Sequence, residues 1–388
     1  MSGERVALVW DDAFARYDFG NEHPLSPIRV ELTIELIRAI GLSDTPGVLE
    51  VLPGEIDEDT ILRRHRADFV EAVRRSSADP SVTPDWEYGL GPGDTPAFAG
   101  MHEASMTVCA GSREAARMVW DGDVAHAFNP AGGLHHAMPD RAAGFCIYND
   151  PAIAIDHLLE AGAERVCYVD IDVHHGDGVE AMFADDPRVL TISLHESGRF
   201  LFPGTGQPDD IGGDAALGSV VNIPLSPGTT GAVWLDAFDH VVEPLVRAWS
   251  PDVLVTQLGC DAHATDPLAH LSLTTDDFAD IVARLHTLAH EAADGKWIAM
   301  GGGGYQWVHV VPRAWTIAFA EMVGARLPID TPMHWREMAQ ERAGQRAPDA
   351  FLDAPVSVAE HLDMRARETA RRAVAAVREL VFPLHGLH

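Results

Sequence analysis

Basic residues are scarce in this chain. Its 388 residues include 28 Lys and Arg against 59 Asp and Glu, a net charge of −31, and Lys296 is its one lysine. A protein that grips nucleic acid needs a basic footprint to displace counterions, so that class is excluded. The excess of carboxylates suits a cationic ligand, and it equally serves solubility. The replacement of Lys by Arg reflects genome composition rather than function. Cysteine is also sparse. Cys109, Cys146, Cys167 and Cys260 show no C-x-x-C spacing and sit among small or apolar neighbours, the setting of core packing. No apolar run reaches the roughly 20 residues needed to span a bilayer. The opening Met1-Ser2-Gly3-Glu4-Arg5 leads straight into an apolar segment with no signal-peptide pattern. The expectation is a soluble, cytoplasmic protein.

With 46% hydrophobic residues, the chain has ample material for a large core. Apolar runs of strand character fall at 6–10, 124–128, 165–171, 189–194, 220–224, 253–258 and 297–300. Amphipathic stretches at 28–40, 103–120, 150–161, 232–249 and 276–293 alternate with them. This alternation predicts an α/β fold of three layers, a mainly parallel sheet with helices on both faces. Residues 79–100, rich in Pro, Gly and Asp, read as a long surface loop. The domain reading is a catalytic unit over 1–325 and a C-terminal extension over 326–388. The extension carries a helix at 356–380 and packs on the same domain.

The densest chemistry lies in Asp170-Ile171-Asp172-Val173-His174-His175-Gly176-Asp177. Strand alternation turns Asp170, Asp172 and His174 to one side. Carboxylates and an imidazole converging on a buried strand end call for a divalent cation to neutralise them. Asp172 and His174, with Asp261 from the end of another strand, make a three-residue ligand set that leaves a position open for water and substrate. Zn²⁺ suits such a set best, and Fe²⁺ or Co²⁺ is compatible with it. His135 and His136 are adjacent imidazoles, and Asp170 and Asp177 are the candidates to orient them. Two His–Asp dyads beside a bound cation form a general base and a general acid. The run Gly301-Gly302-Gly303-Gly304-Tyr305 lacks the pattern of a phosphate cradle. It reads instead as a tight channel wall, Gly303 included, that ends in a phenol able to stabilise an oxyanion. Gly144, Phe145 and Phe202 lie on loops whose aromatic rings suit a narrow aliphatic chain. His135-His136, the run from His174 to Asp177, Gly259-Cys260-Asp261 and Gly301–Tyr305 each follow a strand, so one edge of the sheet collects them.

The runs G-G-L-H-H-A (132–137), G-F-C-I-Y-N-D (144–150), Y-V-D-I-D-V-H-H-G-D-G-V-E (168–180), F-P-G-T-G (202–206), Q-L-G-C-D (257–261) and G-G-G-G-Y (301–305) occur in one order. In these the chain resembles the histone deacetylase superfamily, in the class I-like branch that includes bacterial acetoin-utilisation-type deacetylases. The resemblance implies an arginase/deacetylase fold and metal-dependent removal of acetyl from an ε-amino group. It carries the metal role onto Asp172, His174 and Asp261, acid/base roles onto His135 and His136 with Asp170 and Asp177, and oxyanion stabilisation onto Tyr305. Phe145 and Phe202 match tunnel walls, and Asp94 and Leu268 match rim positions. Potassium is implied at Asp170, Asp172, His174, Ser193 and Leu194, with Phe183 and Val189 in part of a second site. Asp177 and Tyr305 agree with class I. The segments 306–309 and 262–265 depart from the family pattern, and both border the rim that selects substrate.

Three other readings compete. A two-metal ureohydrolase on this fold needs carboxylates where Gly176 and His263 stand. Acetylpolyamine deacetylation keeps the chemistry and changes the substrate. A silent acyl-lysine reader has no use for paired acid and base.

Overall fold

The computed structural model describes residues 4–20 and 23–388. The strands are β1 (Val6–Val9), β2 (Val48–Val51), β3 (His126–Asn129), β4 (Val166–Asp170), β5 (Val189–Glu196), β6 (Val220–Leu225), β7 (Val253–Gln257) and β8 (Trp297–Met300). They form one sheet in the order β2-β1-β3-β8-β7-β4-β5-β6, and every pairing is parallel. The helices are α1 (Ile28–Ala39), α2 (Glu58–Leu62), α3 (Ala67–Ala78), α4 (Met101–Trp120), α5 (Asp150–Glu160), α6 (Asp177–Phe183), α7 (Gly231–Trp249), α8 (Thr275–Ala292), α9 (Val311–Met322), α10 (Met333–Ala343) and α11 (Glu360–Leu380). They fall into two packed groups: α2, α3, α4, α5 and α6 in one, and α10, α1, α9, α8, α7 and α11 in the other. This is the three-layer α/β arrangement that the strand–helix alternation predicts, as the arginase/deacetylase fold implied by the resemblance requires.

A sheet covered on both faces needs strands that are apolar throughout. β1, β4, β7 and β8 are buried at every position. The six strand-like runs from 124 onward and the run at 6–10 all become strands, within a residue or two at their ends. β2 has no counterpart among them, because this edge strand is short and only half-buried, which blurs its pattern. α9 also escapes the sequence pattern. Nearly all its residues are buried, so it has no polar face to mark the helical period. All four cysteines are free and buried.

After α9 the chain folds back on the sheet and its helices. Trp335 of α10 is buried against α1, and its indole N–H donates to the Leu32 carbonyl at 3.0 Å. α11 lies along β6 and α7. Between them, Asp353 accepts from Arg313 at 2.9 Å, from His263 Nε2 at 2.8 Å and from the Thr275 hydroxyl at 2.9 Å. One carboxylate thus ties the C-terminal segment to α9, to α8 and to the loop that follows Asp261.

Candidate active site

β3, β8, β7 and β4 are successive neighbours in the sheet and run in one direction. The segments leaving their carboxyl ends therefore emerge side by side. They carry His135 and His136 after β3, Gly303 and Tyr305 after β8, Asp261 after β7, and Asp172 and His174 after β4.

The means of convergence after β4 differs from strand alternation. β4 ends at Asp170, so Asp172 and His174 lie in the following turn rather than on a pleat. The backbone N–H of Asp172 donates to Asp170 Oδ1 at 3.1 Å, and that of His174 to Asp172 Oδ1 at 2.9 Å. Two successive side-chain-to-backbone turns, each spanning two residues, take over from the ladder. They bring both aspartates and the imidazole to the same place.

Asp172, His174 and Asp261 offer ligand atoms that lie within 4.8 Å of one another, and all three residues are buried. His174 Nδ1 stands 3.0 Å from Asp172 Oδ1 and 3.1 Å from Asp261 Oδ2. Each carboxylate is anchored by its remaining lone pairs. Asp172 Oδ2 accepts from the Gly303 N–H at 2.6 Å and from Gln257 Nε2 at 2.7 Å, and Asp261 Oδ1 accepts from the Val173 N–H at 2.9 Å. Burial and the neighbouring Asp172 push Asp261 up to about 6. Two carboxylates pressed together in a dry site, with an imidazole nitrogen between them, have the chemistry of a divalent-cation site.

The paired histidines stand against this cluster. His135 Nδ1 donates to Asp170 Oδ2 at 2.7 Å, His136 Nδ1 donates to Asp177 Oδ1 at 2.6 Å, and the two Nε2 atoms are 3.1 Å apart. His135 Nε2 is 3.9 Å from Asp172 Oδ1. Burial opposes charge on His135, but Asp170 and Asp172 outweigh it and raise the imidazole to about 9. Burial and the adjacent His135 hold His136 down to about 4, against the pull of Asp177.

The aromatic groups continue the ring of contacts. The Phe202 ring lies 4.9 Å from His136, His136 lies 5.7 Å from His174, His174 lies 6.4 Å from Tyr305, and Tyr305 lies 5.7 Å from Phe145. Phe202 is 44% exposed, which sets it at the mouth. Gly144 and Phe145 both have positive φ, an uncommon conformation for a phenylalanine. Asp94 Oδ2 accepts from the Gly144 N–H at 2.8 Å, and the Tyr17 hydroxyl donates to the Phe145 carbonyl at 2.8 Å. Leu268 is half-buried on the loop after Asp261, with its N–H on Asp266 Oδ1. Ser193 faces Asp170 across the β4–β5 ladder and Leu194 follows it, while Phe183 closes α6 and Val189 opens β5.

A model of the histone deacetylase domain matches residues 23–322. The chain belongs to the histone deacetylase family. This deacetylase is 39% identical over 377 residues to the acetoin utilization protein AcuC of Bacillus subtilis (strain 168), spanning 96% of the present chain and 97% of that protein. It is 36% identical over 355 residues to the AcuC proteins of Staphylococcus aureus strains MSSA476 and MW2, spanning 90% and 91% of the respective chains. The deacetylase is thus a hydrolase of the acetoin-utilisation type, and acetylated compounds are its class of substrate.

Several groups that shape the site were given no role in the sequence, although Asn149 and Asp150 close the run G-F-C-I-Y-N-D. Asp150 accepts from the Gly133 and Leu134 N–H groups and from the Ser112 hydroxyl, which fixes the turn leading into His135. Asn149 Nδ2 donates to the carbonyls of His135 and Ala137 at 3.1 and 3.0 Å. Asp266 Oδ2 accepts from the Tyr305 N–H at 2.9 Å. Buried Arg29 donates to the carbonyls of Gly302 and Gly304 at 2.6 and 3.2 Å and braces the glycine run from behind. The Ser112 hydroxyl aside, the partners in these contacts are backbone atoms, and backbone partners leave no pairwise spacing to read.

Proposed function

We propose that this deacetylase removes the acetyl group from the ε-amino group of acetyl-lysine in proteins, with a divalent ion, zinc by preference, held by Asp172, His174 and Asp261. The observation that carries this reading is one juxtaposition. Two His–carboxylate dyads stand beside an oxygen–nitrogen–oxygen ligand set, and Tyr305 lies against His174. The ion supplies Lewis acidity and a nucleophile at neutral pH.

The chain's own groups then have separable tasks. Through Nε2, His135 and His136 take a proton from the attacking water and return it to the amine as the amide C–N bond breaks. Asp170 and Asp177 hold the Nδ1 protons, so each Nε2 keeps its orientation. The Tyr305 hydroxyl donates to the oxygen that gains negative charge. Phe145 and Phe202 flank the aliphatic chain of the substrate, Gly144 and Gly303 bring backbone close to it, and Asp94 and Leu268 border the rim. Acetate and a free amine leave.

Potassium is proposed at Asp170, Asp172, His174, Ser193 and Leu194, with Phe183 and Val189 in a second site. Support comes from the β4–β5 ladder, which sets Ser193 opposite Asp170. We also read 1–325 as the catalytic unit and 326–388 as an extension of it, since the family match ends at 322 and α10 and α11 pack back on α1, β6 and α7. A cytoplasmic location is proposed. In its support, no described helix is long and apolar enough to cross a membrane.

The net charge of −31 favours one rival substrate, an acetylated polyamine. The deciding experiment measures kcat/KM on an acetyl-lysine peptide and on acetylspermidine, before and after chelation and zinc reloading. The reading expects the peptide to be preferred and activity to follow zinc. A preference for acetylspermidine replaces the substrate assignment, and full activity in the metal-free protein overturns the metal-dependent reading.

A further inference from the structure

The opposite edge of the sheet carries a second convergence of metal-binding side chains, and the deacetylase chemistry makes no use of it. Glu4 lies just before β1, His126 is the first residue of β3, and His286 and His290 are one helical turn apart on α8. Their donor atoms all lie within 4.8 Å of one another. His126 Nε2 is 3.3 Å from Glu4 Oε2, and His290 Nε2 is 3.4 Å from the same oxygen. His286 Nε2 is 3.2 Å from His126 Nε2 and 3.0 Å from His290 Nε2. Four ligands around a zinc ion with bonds of about 2.0–2.1 Å are spaced about 3.3–3.4 Å apart. Four of the six separations, 3.0–3.4 Å, lie at or a little below that value, and the other two lie within 4.8 Å.

Hydrogen bonds among these four groups satisfy them only in pairs. His286 donates from Nδ1 to Glu321 Oε1 at 2.9 Å, so its neutral Nε2 presents a lone pair. That lone pair faces two more Nε2 atoms and can accept from only one of them. His126 is fully buried and its Nδ1 has no hydrogen-bond partner among the described residues, so its polar contacts run through Nε2, to Glu4 and His286. A cation at the centre uses every lone pair at once. The surroundings hold the rings in place. His286 stacks on Trp297 at 5.6 Å, and His126 meets the edge of the same indole at 5.7 Å. The Glu321 carboxylate on His286 Nδ1 is the outer partner that orients a metal-bound imidazole.

We propose that Glu4, His126, His286 and His290 form a second zinc site that clasps the start of β1, the start of β3 and α8. Three imidazoles and one carboxylate select a borderline transition ion over magnesium or calcium. Four protein ligands close the coordination sphere, so the role is structural. Only Glu4 and His290 are substantially exposed, and they form the side through which the ion enters.

The test uses the full chain without a histidine tag, stripped with a chelator, reloaded with excess Zn²⁺ and dialysed, with zinc per chain then read by elemental analysis. Wild type is expected to hold two equivalents. H286Q/H290Q loses one and keeps its deacetylase activity. D172A/D261A loses the other one, and on loading with Co²⁺ it shows the visible absorption of a tetrahedral nitrogen-ligated site. E4A, a change at an exposed residue, retains the fold and weakens uptake of that second ion. Equal zinc content in wild type and H286Q/H290Q overturns the proposal, as does a D172A/D261A protein that takes up no zinc and no cobalt. Neither outcome depends on which substrate the deacetylase prefers.

Discussion

The Nε2 atoms of His135 and His136 face each other at 3.1 Å, while each Nδ1 is committed to its own aspartate. With both Nδ1 atoms protonated, only one further proton fits between the rings, because two would bring N–H against N–H. The pair therefore titrates as a unit. His135 is raised by Asp170 and Asp172 against its burial, and His136 is lowered by burial and by His135.

Neutralising either aspartate should disturb that unit from a different side. Asp170→Asn removes the charge that raises His135, and Asp177→Asn removes the acceptor of His136. Each is expected to lower kcat about 10–100-fold and to move a limb of the pH–rate profile. Full pH–rate curves for both variants check this. Profiles superimposable on wild type would remove the dyads from the proton path.

Tyr305→Phe retains the ring contacts with Phe145 and His174 and the backbone N–H on Asp266. Only the hydroxyl is lost. The expected result is a fall of about 10²–10³ in kcat with little change in KM. Steady-state kinetics at matched metal content decide it, and an unchanged kcat excludes the phenol from oxyanion stabilisation.

Gly303 is hemmed in by the carboxylates of the proposed ligands Asp172 and Asp261. A Cβ there would collide with Asp261 and stand 2.8 Å from Asp172 Oδ2. Gly303→Ala should reduce metal affinity about 10–100-fold while the protein stays folded. Metal titration monitored beside circular dichroism separates the two effects. Wild-type affinity in this variant would argue against Asp172 and Asp261 as ligands.

His65 sets an acid limit on stability. Its Nδ1 donates to the Met138 carbonyl at 2.9 Å and its Nε2 accepts from the Asn149 N–H at 3.0 Å, so both ring nitrogens are engaged in the neutral form. Burial lowers its pKa from 6.5 to about 4. Charge is thus disfavoured in the folded state relative to the unfolded chain. The stabilisation is complete above about pH 6.5 and declines as pH falls toward 4, by up to ~3 kcal/mol. Denaturant unfolding of wild type and His65→Gln between pH 7.5 and 4.5 should show the gap between them closing as pH falls. A gap that stays constant across that range excludes His65 as the source.

The convergence of the candidate residues was legible in the sequence because they are rare types in a fixed order on strand ends. Asp172, His174, Asp261, His135, His136 and Tyr305 each follow an apolar run, and parallel strands deliver such positions to one edge. The turn geometry at Asp170 and Asp172 was not legible, since it depends on where the ladder stops. Nor was α9, because burial on all sides erases a helical period. The His126 cluster was silent for a different reason. Its members come from positions 4, 126, 286 and 290; only His286 and His290 share a short spacing, which says nothing of the other two.

β8 lies between β3 and β7, yet it is the last strand of the sheet to be synthesised. Without it, the strand order would fall into two groups, β2-β1-β3 and β7-β4-β5-β6, each with an open inner margin. Unpaired strand margins invite association with other chains. One four-residue segment thus closes the seam between the two halves of the sheet and leads into the loop that carries Tyr305.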